Sequence, residues 1–102
     1  MKDSIRKILE DIREQYSQYS FEKVKELGWK NMDSIKVEGK RYWPSVWSQI
    51  HKKNDMILVV QLTRWHFLRL VGSTDCIGYI FSKSGDVTPI DEIYLMNEVG
   101  HP

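Results

Sequence analysis

The shortages of this sequence are informative: it has no alanine, one cysteine and no long uninterrupted apolar run. A single cysteine, Cys76, cannot build an internal disulfide framework, and this suits a reducing cytoplasm. The longest apolar stretch, residues 56–71, is interrupted by side chains such as Arg64 and is too short to span a bilayer. The first residues carry acids and lack the apolar core of a secretory signal. We therefore expect a cytoplasmic protein that has no membrane partner.

What the chain does contain predicts a single α+β domain over residues 1–102. This length is common for one domain and is sufficient to bury a core without disulfides. Hydrophobic residues make up 41% and charged residues 28%, so the composition is that of a folded globular chain. Because alanine is missing while isoleucine, valine and aromatic residues are plentiful, a pure helical bundle is disfavoured and a substantial sheet is expected.

Charge is distributed unevenly along the chain, although the net charge is only +1. Residues 1–33 carry seven positive and seven negative side chains, residues 34–69 carry seven and two, and residues 70–102 carry one and five. The middle third also holds three of the four tryptophans. Large aromatic and cationic side chains dominate interface energetics, but the same residue types build small sheet cores. The middle third is therefore expected to form either a binding surface or part of the protein's own core.

Two helices are expected at the N-terminal side. Apolar residues between positions 4 and 17 recur three and four residues apart, which predicts an amphipathic helix with one buried stripe. The stripe consists of Ile5, Ile8, Leu9, Ile12 and Tyr16. A second helix is expected at about 20–27, where Ser20 can cap its start and Gly28 supplies the left-handed residue that ends it.

From residue 34 onward the pattern is typical of strands. Ile35 and Val37 alternate with polar neighbours, and a turn at Gly39 precedes the next run. Pro44 is compatible with an edge strand, a bulge or the first turn of a helix, so the segment 44–51 fits a short helix or a strand equally well. In residues 56–62, apolar side chains occupy both the odd- and the even-numbered positions, which predicts a central strand buried on both faces.

Two more strands are expected at 66–71 and 76–81, joined by a turn at 72–75, and another turn is expected at 83–86. In the tail, Thr88, Pro89 and Asp91 stand in the order that starts a helix, whereas 93–96 also fits an edge strand. The helix is preferred. The predicted fold is therefore two N-terminal helices packed on an antiparallel meander of four or five strands, with a short C-terminal helix as an optional addition.

The sequence offers no constellation for catalysis, for a cofactor or for a metal. Cys76 and the three histidines lack the spacing of two to four residues that preorganises zinc ligands. Cys76 starts an apolar strand without a nucleophile signature, and cysteine at such a position usually packs as a small hydrophobe. We expect no catalytic residue, cofactor or metal, and we lean against an enzyme without deciding the question.

The favoured function is a small non-enzymatic protein-binding module, of which inhibitors such as antitoxins or immunity proteins are a class-level example. Strand alternation from position 65 puts aromatic and basic side chains on one face, a combination typical of interfaces. The residues expected to bind a protein partner are Trp43, Trp47, Arg64, Trp65 and Arg69. The partner's identity is open, and a homodimer is one of the options.

Two alternatives draw on overlapping residues. The first is a sheet that forms a pocket and binds or transforms a small molecule. Its lining would be Trp65, His66, Phe67 and Tyr79. The second is binding of RNA or single-stranded DNA, in which aromatic side chains stack on bases and cations hold phosphates. Its residues would be Arg41, Trp43 and Arg64. The near-zero net charge and the acidic last third disfavour nucleic acid.

Overall fold

The structure is a computed structural model that describes residues 2–66 and 71–92, apart from the side chains of Lys53, His66 and Val71. Two helices come first, α1 (Asp3–Glu14) and α2 (Phe21–Leu27). The strands that follow are β1 (Trp29–Asn31), β2 (Ile35–Val37), β3 (Lys40–His51), β4 (Asp55–His66), β5 (Val71–Phe81) and β6 (Val87–Ile90). They pair antiparallel in the order β1-β3-β4-β5-β6, and β2 pairs with the first residues of β3.

This architecture confirms the predicted α+β fold, in which two N-terminal helices precede an antiparallel meander. The described part of the chain has six strands rather than four or five, and two of them, at residues 29–31 and 87–90, were not expected as strands. The preferred C-terminal helix falls largely on residues 93–102, which lie outside the described part. Neither described helix is long and apolar enough to cross a membrane.

The second helix begins and ends as the sequence predicts, whereas the first spans Asp3–Glu14 rather than residues 4–17. The buried stripe of α1 and the following turn consists of Ile5, Leu9, Ile12 and Tyr16. The Ser20 hydroxyl accepts a hydrogen bond from the backbone N–H of Lys23 at 3.1 Å, so it caps α2. Gly28 ends that helix with φ 65°, a left-handed conformation that costs glycine little.

The open segment 44–51 belongs to strand β3, and Pro44 lies where the pairing with β1 ends. The Pro44 carbonyl accepts a hydrogen bond from Met32 N–H at 3.0 Å, on the side of β3 that faces β1 and β2. The proline nitrogen points to the same side, toward Met32, because the N and O of one residue share a direction in an antiparallel ladder. Proline therefore removes only the reciprocal bond to Met32, just beyond the last residue of β1, while the other side of Pro44 pairs with β4.

The turn expected at residues 72–75 is wrong, because these residues belong to β5. Gly72 pairs with Trp65 and Asp75 pairs with Leu62, so β4 and β5 are long strands that continue past the predicted boundaries. His66 ends β4 and Val71 begins β5. Glycine, serine and aspartate favour turns as a local preference, and pairing with β4 overrides that preference here. The turn expected at 83–86 is confirmed by the β5–β6 hairpin.

The helix start expected at Thr88 and Pro89 is also wrong, since both residues lie in β6. Ser82 N–H donates to the Asp86 carbonyl at 2.9 Å, which sets the alternation of hydrogen-bonded pairs in this hairpin. Thr88 is therefore in a hydrogen-bonded pair with Ile80, while Pro89 is in a non-bonded pair and its nitrogen points outward. Proline is tolerated in a strand at such a position.

The sheet buries apolar side chains on both faces, as predicted for residues 56–62. The face under α1 and α2 forms the main core, with Leu58, Val60 and Leu62 of β4 fully buried. The opposite face, called the distal face below, buries a second cluster that includes Ile57, Val59, Cys76 and Ile90, with Trp47 and Ile80 packed against it. The second cluster covers only part of the distal face and leaves the rest open.

Candidate binding site on the distal face

An open groove lined by three tryptophans lies on the distal face, across strands β1, β3 and β4. We call it the tryptophan groove. Its lining residues are Trp29, Asn31, Met32, Trp43, Pro44, Ser45, Gln61, Thr63 and Trp65, and its volume is about 340 Å³. The register places Asn31 beside Ser45 and Ser45 beside Gln61. Alternate residues of a strand share a face, so these pairs form a polar floor between the aromatic walls.

Hydrogen bonds between neighbouring side chains fix one wall of the groove. The rings of Trp29 and Trp47 stack with centroids 6.1 Å apart and planes 4° apart. The Trp29 indole N–H donates to Asn31 Oδ1 at 2.9 Å, and the Trp47 indole N–H donates to Gln61 Oε1 at 3.0 Å. Each indole has its polar edge satisfied and its plane held, so the wall is already in place before any ligand binds.

The other wall depends on a glycine. A Cβ atom at Gly72 would lie 2.9 Å from Cε3 of Trp65, so the indole rests directly against the Gly72 backbone on the adjacent strand. An aromatic ring that covers a cross-strand glycine protects the sheet backbone and gains a flat support. Trp65 nevertheless remains 43% exposed. Its uncovered area faces the groove and the solvent.

The floor of the groove is polar but neutral. Ser45 lies at the floor of the groove and is only 4% exposed. Thr63 Oγ1 lies 3.4 Å from Oγ1 of Thr74 on β5. No charged side chain occurs among the described residues that line the groove. The site therefore suits a ligand that offers hydrogen-bonding groups and apolar surface without a charge.

Two larger grooves of the molecule differ from this site in their charge. One, of about 560 Å³, lies between α1 and the β1–β2 edge and includes Asp11, Lys30 and Asp33. The other, of about 540 Å³, lies beside the β5–β6 turn and includes Glu22 and Lys83. Neither contains a tryptophan. The tryptophan groove is thus distinguished by chemistry rather than by size.

The structure brings together three of the five residues predicted to bind a protein. Trp43 and Trp65 line the groove, and Trp47 supports it through Trp29. Arg64 stands between two groove residues on β4, so its side chain points to the opposite face. Arg69 lies outside the described residues.

Trp29 is the tryptophan of the groove that the sequence did not indicate. It follows the helix-ending Gly28 and belongs to a strand of only three residues, which is too short to show an alternating pattern. Its exposure of 59% makes it a prominent apolar side chain on the distal face. A tryptophan directly after a helix stop was the only local signal, and pairing with Trp47 is a long-range event.

The residues of the small-molecule alternative do not meet in one cavity of the described structure. Tyr79 is buried in the core beneath the helices, where the Arg13 guanidinium lies 4.9 Å from the centre of its ring. Trp65 is on the distal face, so the sheet separates the two side chains. Phe67 and the His66 side chain lie outside the described residues.

The residues of the nucleic-acid alternative are likewise separated. Arg41 donates a hydrogen bond from Nη1 to Ser34 Oγ at 2.8 Å, beside the β2–β3 hairpin. Arg64 points to the face opposite that of Trp43, as the β4 alternation requires. These three residues therefore do not form one surface on which bases could stack while phosphates are bound.

Cys76 is buried on the distal face of the sheet. Burial, with smaller effects from the nearby charges of Glu92 and Asp75, raises the pKa of its thiol from 9.0 to about 12. The described residues contain no group of three or more histidine, cysteine or acidic side chains that could hold a metal ion. A neutral, covered thiol packs in the core and is a poor nucleophile.

This thiol should resist alkylation in the folded protein. At pH 8 the raised pKa lowers the thiolate fraction about a thousandfold relative to a thiol of pKa 9.0. We expect iodoacetamide to label Cys76 more than 100-fold faster in concentrated urea than in buffer, as followed by intact mass. The neutral thiol favours the folded state below pH 9, and this contribution to stability is lost as the pH rises toward 12. Equal labelling rates in urea and in buffer would contradict the burial of Cys76.

Comparison of the chain with protein-family models, with curated proteins and with solved structures finds no match.

Proposed function

We propose that this protein is a small non-enzymatic binding module that holds a segment of a partner protein in the tryptophan groove. The observation that carries the proposal is the pair of exposed indoles on the distal face: Trp29, held by stacking and a hydrogen bond, and Trp65, which rests against the Gly72 backbone. Exposed large aromatics that border a groove are typical of interaction sites. An inhibitor of the antitoxin or immunity type is one form of such a module. The single cysteine supports the cytoplasm as its compartment.

The rigidity of the groove supports binding rather than a role in the core. Stacking on Trp47 and the hydrogen bond to Asn31 leave the Trp29 indole little freedom to lose. A preorganised aromatic side chain therefore gains contact area at low entropic cost. If Trp29 and Trp65 served only the protein's own packing, they would be covered, as Leu58 and Phe81 are.

A displayed library of random peptides, panned against the purified protein, tests the proposal. We expect the enriched peptides to lose about tenfold or more in affinity for Trp29→Ala and for Trp65→Ala, because truncating a central aromatic contact typically costs more than 1 kcal/mol. Ile50→Ala is the matched control, since Ile50 is 64% exposed but lies outside the tryptophan groove. Circular dichroism would establish that all three variants are folded.

Two outcomes would overturn the proposal. One is the absence of any peptide that prefers this protein to an unrelated one. The other is a set of peptides that bind Trp29→Ala and Trp65→Ala as tightly as Ile50→Ala, because the partner would then use another surface.

A further inference from the structure

Building on the proposed function, we infer that the tryptophan groove takes an extended, proline-containing segment of its partner in the polyproline II conformation. The first argument is the neutrality of the lining. The described lining residues offer no carboxylate and no cation, so a charged partner side chain would lose water without gaining an ion pair. Proline-rich segments bring apolar rings without charge.

The second argument is the hydrogen-bonding character of the groove. Trp65 and Ser45 both line the groove. An indole can only donate, and the serine hydroxyl is able to donate. The groove therefore suits a ligand rich in carbonyl oxygens. A polyproline II segment presents its carbonyls outward, and each proline lacks an N–H that would need an acceptor.

The third argument concerns backbone hydrogen bonding. A β-strand that lay on the sheet face would leave its N–H groups over the indole walls without partners. An extended segment of a few residues that lacks those N–H groups avoids this loss.

The flat indole walls favour proline in particular. Trp29, Trp43 and Trp65 border the groove, and proline rings pack against aromatic faces in aromatic-lined grooves that read proline-rich peptides. A polyproline II segment is also largely preformed in the free peptide, so that less conformational entropy is lost on binding.

Titration with acetylated, amidated decaproline tests this inference. We expect binding in calorimetry, and we expect the indole N–H resonance of Trp65 to move in ¹H–¹⁵N spectra. Trp65→Ala should lower the affinity at least tenfold. Ser45→Ala and Trp65→Phe, which remove one donor each, should lower it about two- to tenfold, the range expected for loss of one hydrogen bond. Ile50→Ala should bind decaproline like the wild type.

The other outcomes separate this inference from the proposed function. If panned peptides depend on the groove but contain no proline and decaproline does not bind, the inference is overturned while the binding module stands. If neither decaproline nor any panned peptide depends on Trp65, both fail. Decaproline binding that persists unchanged in Trp65→Ala, or binding of cellopentaose in the groove without binding of decaproline, would also overturn the inference.

Discussion

Replacing Gly78 with alanine is expected to lower the free energy of unfolding by about 3 kcal/mol or more, toward the upper end of overpacking costs. Gly78 lies in β5 beside Val59, and a Cβ atom at this position would overlap the carbonyl oxygen of Leu58 on β4. That oxygen belongs to the backbone of a central strand, which cannot move aside without disturbing the ladders on both sides. The melting temperature should fall by roughly 10–20 °C, measured by circular dichroism.

Gly72→Ala is the matched control for this prediction. It adds the same methyl group to the same strand, but the atom it meets at 2.9 Å is in the Trp65 side chain, which can shift. The alanine also reduces the entropy of the unfolded chain, which offsets part of the cost. We expect a loss below about 1.5 kcal/mol, together with a displaced Trp65 ring and weaker peptide binding. Equal destabilisation by the two substitutions would contradict the close approach of β4 and β5 at Gly78.

Leu9→Ala is expected to cost about 2–5 kcal/mol, because it removes a fully buried side chain between α1 and the sheet. The loss combines the transfer free energy of the missing carbons with the cavity they leave. Alanine favours the helix slightly, so the effect cannot come from helix propensity. Chemical denaturation followed by far-ultraviolet circular dichroism measures the change, and its slope shows whether unfolding stays cooperative.

Glu10→Ala is the control for Leu9→Ala, because it separates the loss of core packing from an effect of the substitution on helix α1 itself. Glu10 is the next residue of α1 and is exposed, so its replacement should change stability by no more than about 0.5 kcal/mol. If Leu9→Ala were as mild as Glu10→Ala, the buried stripe would not hold α1 on the sheet. The groove is on the other face, so Leu9→Ala should retain peptide affinity wherever the variant is still folded.

The helices could be predicted because their signals are local. The three- and four-residue spacing of Ile5, Leu9 and Ile12, the Ser20 cap and the Gly28 stop all act within one or two turns. The central strand could be predicted in the same way, because the run that includes Leu58 is apolar at both odd- and even-numbered positions. These elements fix which face of the sheet the helices cover.

The errors arose where strand pairing overrides local preference. Gly72 was expected in a turn, and nothing near it in the sequence shows that Trp65 lies across from it and covers it. Pro89 was expected to start a helix, but the alternation of the β5–β6 hairpin leaves its nitrogen outside the ladder. Register decides both cases, and it is set by the pairing of whole strands rather than by the residues next to each glycine or proline.

The candidate site could be predicted only in part, again because strand pairing decides which residues meet. Trp43 and Trp65 were recognised from their residue type and their basic surroundings. Trp29 joins them only because β1 pairs with β3, and Arg64 leaves them only because strand alternation turns it to the other face. Composition thus indicates that aromatic surface exists, whereas topology decides which rings share it.

The placement of every tryptophan on one face also has an optical consequence. Trp29, Trp43, Trp47 and Trp65 all belong to the distal side, so the indole emission of the whole protein reports on that side alone. The parallel rings of Trp29 and Trp47, 6.1 Å apart, should couple their transitions and give a paired circular dichroism band. The wild-type chain therefore carries an intrinsic, label-free probe of the groove, separate from the backbone signal of the helices.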